Sequence, residues 1–210
     1  MKIGDYSGGI NVVWALEIQM CGRYYIDGEV IENCRRQWGI WGPDLSGDIH
    51  PSEKALVLRG VQGRMILEPM IWGFPQQNRT GLLINARAET VLEKVTFRDS
   101  ALYRRCVIPA GHYYEWNRLK EKATFKRQDR KPMYMAGLYQ IVDNEFRFVI
   151  ITTEANASVL MVHDRMPLIL EESDVDKWIF DDEYMRYLLR RTPVLLQREQ
   201  EYEQQSLPLW

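Results

Sequence analysis

Four stretches of the chain combine residue types that can do chemistry. The first is Met20-Cys21-Gly22-Arg23-Tyr24. A methionine directly before a cysteine reads as an internal translation start, and its removal leaves Cys21 as the N-terminal residue. Such a residue carries a thiol and an α-amine on adjacent carbons. With a pKa of about 7.7–8.0, a useful fraction of that amine is neutral and nucleophilic near pH 7. It condenses with an aldehyde to a Schiff base, and the thiol then closes a five-membered thiazolidine. The competing reading is a buried structural cysteine, the usual fate of a free thiol.

The second is Glu115, between Tyr114 and Trp116. In an alternating strand it shares a face with Tyr113, and the flanking aromatics share the other. A carboxylate among aromatic neighbours is desolvated, which raises its pKa toward that of a general acid or base. A solvent-facing glutamate on an edge strand is an equal alternative. The third is His163 in Met-Val-His-Asp-Arg-Met-Pro. Of the three histidines (His50, His112, His163) it is the best candidate, because polar His163-Asp164-Arg165 interrupts an apolar context and must be satisfied there. A structural histidine is the simpler reading. The fourth is Asn85-Ala86-Arg87, where two polar groups one residue apart at a strand end can hold an anion or a carbonyl. Taken alone, a turn asparagine and a surface ion pair explain it as well.

The elements that must position these residues are mostly strands. Period-2 patterning or short apolar runs predict strands at Ala55–Arg59, Met65–Trp72, Leu82–Ile84, Cys106–Pro109, His112–Trp116, Ala123–Arg127, Met133–Tyr139 and Phe146–Thr152. Pro69 demotes the second of these to an edge or a bulge. Helices are predicted at Glu29–Trp38, from a capping-box-like Thr96-Phe-Arg-Asp99 to about Arg105, at Asp174–Phe180 and at Asp182–Arg190. Strands in the middle with helices at the ends and in one crossover argue an α+β fold with a curved, largely antiparallel sheet.

The 210 residues suit one domain, and 46% hydrophobic with 27% charged residues excludes disorder as the dominant state. Three scattered cysteines exclude a disulfide framework and a CxxC metal site, so neither metal nor cofactor is expected. No apolar run approaches the ~20 residues of a membrane span. Ile10 to Ile18 is interrupted by Asn11 and Glu17, so a signal peptide is not expected and a reducing, cytoplasmic setting is. The net charge of −2 hides an asymmetry. Residues Arg118 to Lys131 carry +5, and Glu171 to Glu203 carry −5. The basic segment can track a phosphate backbone, although most charge runs are solvated faces.

Cys21-Gly-Arg-Tyr, Trp72-Gly-Phe, Asn85-Ala-Arg-Ala-Glu-Thr90, Arg105-Cys-Val-Ile-Pro-Ala110, Tyr113-Tyr-Glu-Trp116, Ile151-Thr-Thr-Glu-Ala-Asn156 and His163-Asp-Arg-Met-Pro167 occur in this order. The sequence thereby resembles the SRAP family, the SOS-response-associated peptidases that crosslink to abasic sites in single-stranded DNA. Each motif alone is weak, but seven in order are specific. The resemblance spans about Met20 to Leu170. It implies a single α+β domain with a barrel-like antiparallel sheet and a basic single-strand channel.

By resemblance, Cys21 matches the nucleophile that forms a thiazolidine with the ring-opened deoxyribose. Asn85 matches the residue that orients the crosslink, Glu115 the proton-shuttling carboxylate, and His163 the group that assists ring opening. Arg23, Arg87 and Arg165 fall at DNA contacts, and Thr152 at a site-lining hydroxyl. Trp72, Phe74 and Pro51 fall where bases would be wedged or stacked. The implied partner is single-stranded DNA containing abasic sites, bound by a monomer, with associated lyase and autopeptidase activity. Two departures stand out. Nineteen residues precede Met20, and while they are attached Cys21 has no free amine, so residues 1–19 are expected to be a mis-assigned or removed leader to a 20–210 domain. Gly111-His112 stands where the family commonly has Asp-Gly. A thiol autopeptidase using Cys21, His163 and Glu115, and a non-covalent single-strand binder, are the alternatives.

Overall fold

The computed structural model describes residues 22–40, 42–76 and 80–200. Five strands close on one another: β3 (Lys54–Val61), β4 (Arg64–Trp72), β8 (Arg105–Ala110), β11 (Met133–Val142) and β12 (Glu145–Glu154). The circuit runs β4–β3–β8–β11–β12 and returns from β12 to β4. The closing pair is parallel, Arg147 opposite Ile71 and Phe148 opposite Trp72, whereas the other ladders of the circuit are antiparallel. Closure removes the open edges that such a sheet would otherwise present. The expected curved, barrel-like α+β sheet is thus found.

Pro69 sits well inside β4, opposite Leu56, rather than on an edge strand. It is tolerated because β4 meets β12 only from Ile71 onward, which leaves the flank at Pro69 without a ladder needing its missing N–H. The barrel is filled by apolar side chains, including Leu56, Leu58, Ile108 and Phe148, each at most 1% exposed. At Gly137 a Cβ would lie 2.8 Å from the Val149 carbonyl, so only glycine lets β11 and β12 approach this closely.

A second sheet has the order β15–β10–β9–β1–β2: Leu196–Gln200, Lys122–Arg127, His112–Trp116, Tyr24–Ile26 and Gly47–Ile49. The chain passes from β8 of the barrel to β9 of this sheet through the single residue Gly111, whose N–H donates to Tyr25 O. A Cβ there would lie 2.7 Å from Asp27 Oδ2. Asp27 caps helix α1 (Gly28–Trp38) by accepting from Val30 N, and α1 buries Val30, Ile31 and Cys34. Helix α2 spans Val95–Tyr103, one residue earlier than the capping-box reading, and Lys94 at its N-cap makes no side-chain bond. Helices α3 (Val175–Phe180) and α4 (Asp182–Leu188) follow the predicted pattern. Buried Arg105 ties them on, donating to Trp178 O, Ile179 O and Asp182 while also reaching the carbonyls of Ala101 and Leu102. Strand β15, unforeseen in the sequence, pairs with β10 from Ala123–Gln200 to Arg127–Leu196.

Candidate active site

β9 alternates strictly: Tyr113 and Glu115 are buried, while His112, Tyr114 and Trp116 are half-buried on the opposite face. The strand lies between β1 and β10, not at an edge, so Glu115 points inward and is 1% exposed. Of the two placements open for this glutamate, buried and solvent-facing, the structure shows the buried one.

A second group gathers along β12. Strand β7 (Asn85–Arg87) pairs with it in parallel, placing Asn85 opposite Ile150 and Arg87 opposite Thr152. Strand β13 (Arg165–Pro167) pairs on its other flank. Asn85 is half-buried. Arg87 is exposed and forms no ion pair among the described residues. Thr152 is 0% exposed, and its Oγ1 is buried without a hydrogen-bond partner. An orphaned buried hydroxyl is costly unless something else uses it.

Arg165 is differently placed from the expected DNA contact. Its Nη1 and Nη2 each donate to Glu89 at 2.8 Å, and Nη2 also donates to Thr152 O. Only 8% exposed, this guanidinium is occupied inside the protein and clamps β13 to the segment after β7. Glu89 was not singled out as a site residue, although it lies within the Asn85–Thr90 motif. The clamp also sets His163, whose Nδ1 stands 3.1 Å from the Arg165 N–H and 2.8 Å from Asp164 Oδ1. Burial lowers the His163 pKa from its ordinary value, Asp164 opposes this, and Arg165 adds to it. Nδ1 accepts from the Arg165 N–H, so a neutral ring carries its proton on Nε2.

His163 lines a cleft of about 510 Å³, between Trp116, Asn117, Arg118 and Leu119 on one side and Leu160 to Asp164 on the other; Glu115, Asn85, Arg87 and Thr152 are not part of its lining. Leu119, Leu160 and Met161 are strongly exposed apolar side chains at this cleft. The wedge residues expected by resemblance are elsewhere. Trp72 and Phe74 are 0% exposed. Trp72 packs on Tyr24 and stacks on Phe148, and its Nε1 donates to Ile84 O. These rings are barrel core, with no face left for a base. Pro51, in the turn after β2, does not line the cleft. Arg23 is held by Asp48, with Nη2 2.6 Å from Oδ2, and lies over the Tyr114 ring. Asn156, from another motif, is a structural knot: its Nδ2 donates to Pro193 O and Val194 O.

Cys21 lies outside the described residues, which resume at Gly22. The other two thiols are poor nucleophiles. Burial pushes Cys34 up to about 12 and Cys106 well above its ordinary value. Among the described residues no group of three or more His, Cys, Asp or Glu is arranged to hold a metal, and no helix is long and apolar enough to cross a membrane.

A five-stranded barrel with an attached sheet, carrying an inward glutamate on β9 and a histidine at a cleft, defines a class that comparison identifies. A sequence model of the SOS response associated peptidase (SRAP) family matches residues 20–203, and the chain belongs to that family. It is 31% identical over 195 residues to the abasic site processing protein YoqW of Bacillus subtilis, covering 81% of this chain and 87% of that one. It is 28% identical over 140 residues to the abasic site processing protein YedK of Escherichia coli, covering 63% of each. A solved structure from Bordetella bronchiseptica superposes with a TM-score of 0.72 at 22% identity, over 87% of this chain and all of that one. One from Bacteroides thetaiotaomicron gives 0.73 at 20%, over 87% and 93%. These neighbours bear out the fold.

Proposed function

We propose that this protein captures abasic sites in single-stranded DNA as a covalent thiazolidine through Cys21, with residues before Cys21 absent from the reacting form. One observation carries the reading. In the β1–β9 ladder Tyr24 is opposite Tyr113, and Tyr114 N donates to Arg23 O. Continued by the same count, the ladder sets Gly22 level with buried Glu115, one peptide from Cys21.

The step balances as follows. Opening of the sugar hemiacetal exposes the C1′ aldehyde: the proton of the anomeric hydroxyl is lost and the ring oxygen gains one to become a hydroxyl, with His163 assisting that transfer. The Cys21 amine adds to C1′, and Glu115 donates the proton that lets the carbinolamine hydroxyl leave as water. The thiol then adds across the C=N bond, closing the ring. The product has the summed mass less one water. Holding the amine against C1′ turns a bimolecular condensation into an intramolecular one. Asn85 orients the opened sugar. Arg87, free and exposed, takes the adjacent phosphate. Apolar contact with flanking bases falls to Leu119, Leu160 and Met161 rather than to Trp72 and Phe74. The same Schiff base permits β-elimination, hence some lyase activity.

The test is intact mass spectrometry of protein beginning at Cys21, mixed with an abasic oligonucleotide without a reductant. An adduct one water short of the sum is expected. Cys21→Ala abolishes it, and Glu115→Gln slows it by about 100-fold or more. A heat-stable adduct in Cys21→Ala overturns the reading, as does a stable adduct from chain still carrying its first twenty residues.

A further inference from the structure

The outer face of the five-stranded sheet carries a row of rings that this chemistry does not use. Tyr25 and His112 are opposite one another in the β1–β9 ladder and stack, with centroids 4.9 Å apart and planes 12° from parallel. His112 meets Tyr114 edge-on at 4.9 Å, with Nε2 2.8 Å from the tyrosine hydroxyl. Tyr114 in turn lies 6.5 Å from Trp116. Each ring is half-buried. From residue 112 to 116 the row covers about 13 Å of strand.

Charge is distributed along it unevenly. In the middle, Arg23 is tied to Asp48 and Lys126 to Glu199. At the ends, cations form no ion pair among the described residues: Arg118 and Lys120 in the turn beyond Trp116, Arg130 and Lys131 in the turn after β10. One end opens into the cleft that holds His163. The other opens into a groove of about 370 Å³ where His112, Lys126, Arg130 and Lys131 face Asp27, Glu29 and Glu199. A row of half-buried rings, with Arg23 and Lys122 over Tyr114 and cations at both ends, suits an unpaired strand. Its bases expose their faces, and its phosphates follow positive charge. A duplex hides those faces.

We propose that this outer face is a second binding surface, which stacks the bases of the single strand leaving the cleft on Tyr114, His112 and Tyr25 and leads its backbone toward Arg130 and Lys131. The inference rests on the proposed function for the identity of the strand as DNA, but not on the crosslinking chemistry.

The experiment measures anisotropy of a labelled, undamaged ten-nucleotide single strand, alongside crosslinking to an abasic trinucleotide too short to leave the cleft. His112→Ala and the shape-preserving Tyr25→Leu are each expected to weaken binding of the longer strand about fivefold or more. Crosslinking of the trinucleotide stays at the wild-type rate. Neutralising Arg130 and Lys131 together flattens the salt dependence of the longer strand alone. Unchanged affinity in both folded ring variants overturns the proposal. So does sedimentation showing that the wild type self-associates through this face and the variants do not. Ring-dependent binding without any crosslink in the wild type would leave this surface standing and remove the proposed chemistry instead.

Discussion

The two flanks of β12 treat arginine in opposite ways. On the β13 flank Arg165 is nearly buried, with both terminal nitrogens on Glu89 and one also on a backbone carbonyl. On the β7 flank Arg87, opposite Thr152, is exposed and has no ion pair among the described residues. One guanidinium is a fastener and the other is available. Family motifs contain both kinds of residue, and only the surroundings separate them. The same division runs through the aromatics: Trp72 and Phe74 fill the barrel, whereas Tyr25, His112 and Tyr114 pave an outer face.

Breaking the interior side should cost stability. Trp72→Ala is expected to lower unfolding free energy by about 3–5 kcal/mol, since it opens a cavity against Tyr24 and Phe148 and leaves Ile84 O with only its bond from Ile150 N. Urea denaturation measures this, and a loss under 1 kcal/mol would contradict the core assignment. Arg165→Met should cost about 2 kcal/mol, because charged hydrogen bonds vanish while half-exposed Glu89 regains water. It should also slow crosslinking at saturating DNA by loosening His163, whereas Arg87→Ala should act by weakening binding.

Acid sharpens the contrast in another way. Burial lowers the pKa of both His112 and His163. As pH falls through about 6.5, the unfolded chain binds protons first, so stability declines below that pH and levels off below the folded values. Thermal melts across that range should show the decline, and His112→Asn should reduce it. A melting temperature flat over the window would contradict the buried placement. The smallest effect belongs to the available arginine. Arg87→Ala should shift stability by no more than about 0.5 kcal/mol. It should reduce the slope of log K against log salt by about 0.7, the value for one single-strand phosphate contact.

Alternation made β9 legible, and with it the inward side of Glu115, because a period of two fixes faces once a strand is recognised. Burial of the side itself was not legible, since that depends on β1 and β10 arriving from distant parts of the chain. Trp72 was misplaced because motif membership names a residue without naming its face. Arg165 was misplaced because its partner, Glu89, is 76 residues away. The polar His163-Asp164-Arg165 run did signal a cluster requiring satisfaction, and it is satisfied internally. The barrel-like sheet was expected by resemblance, but the strands that close it were not legible for a similar reason: the β12–β4 pair joins residues 76 apart in the chain through a parallel contact of two residues.

That short closing contact has a kinetic consequence. The antiparallel β3–β4 and β11–β12 hairpins are local and can form early. The parallel β12–β4 and β12–β7 contacts, like β1–β9 and β10–β15, require long loops to close before they contribute. Asn85 and Thr152 meet only when β12 seats, and Glu115 is enclosed only when β1 docks. The site is therefore among the last parts of the molecule to exist during folding, and a chain with native-like hairpins but an open barrel would have its secondary structure without its chemistry.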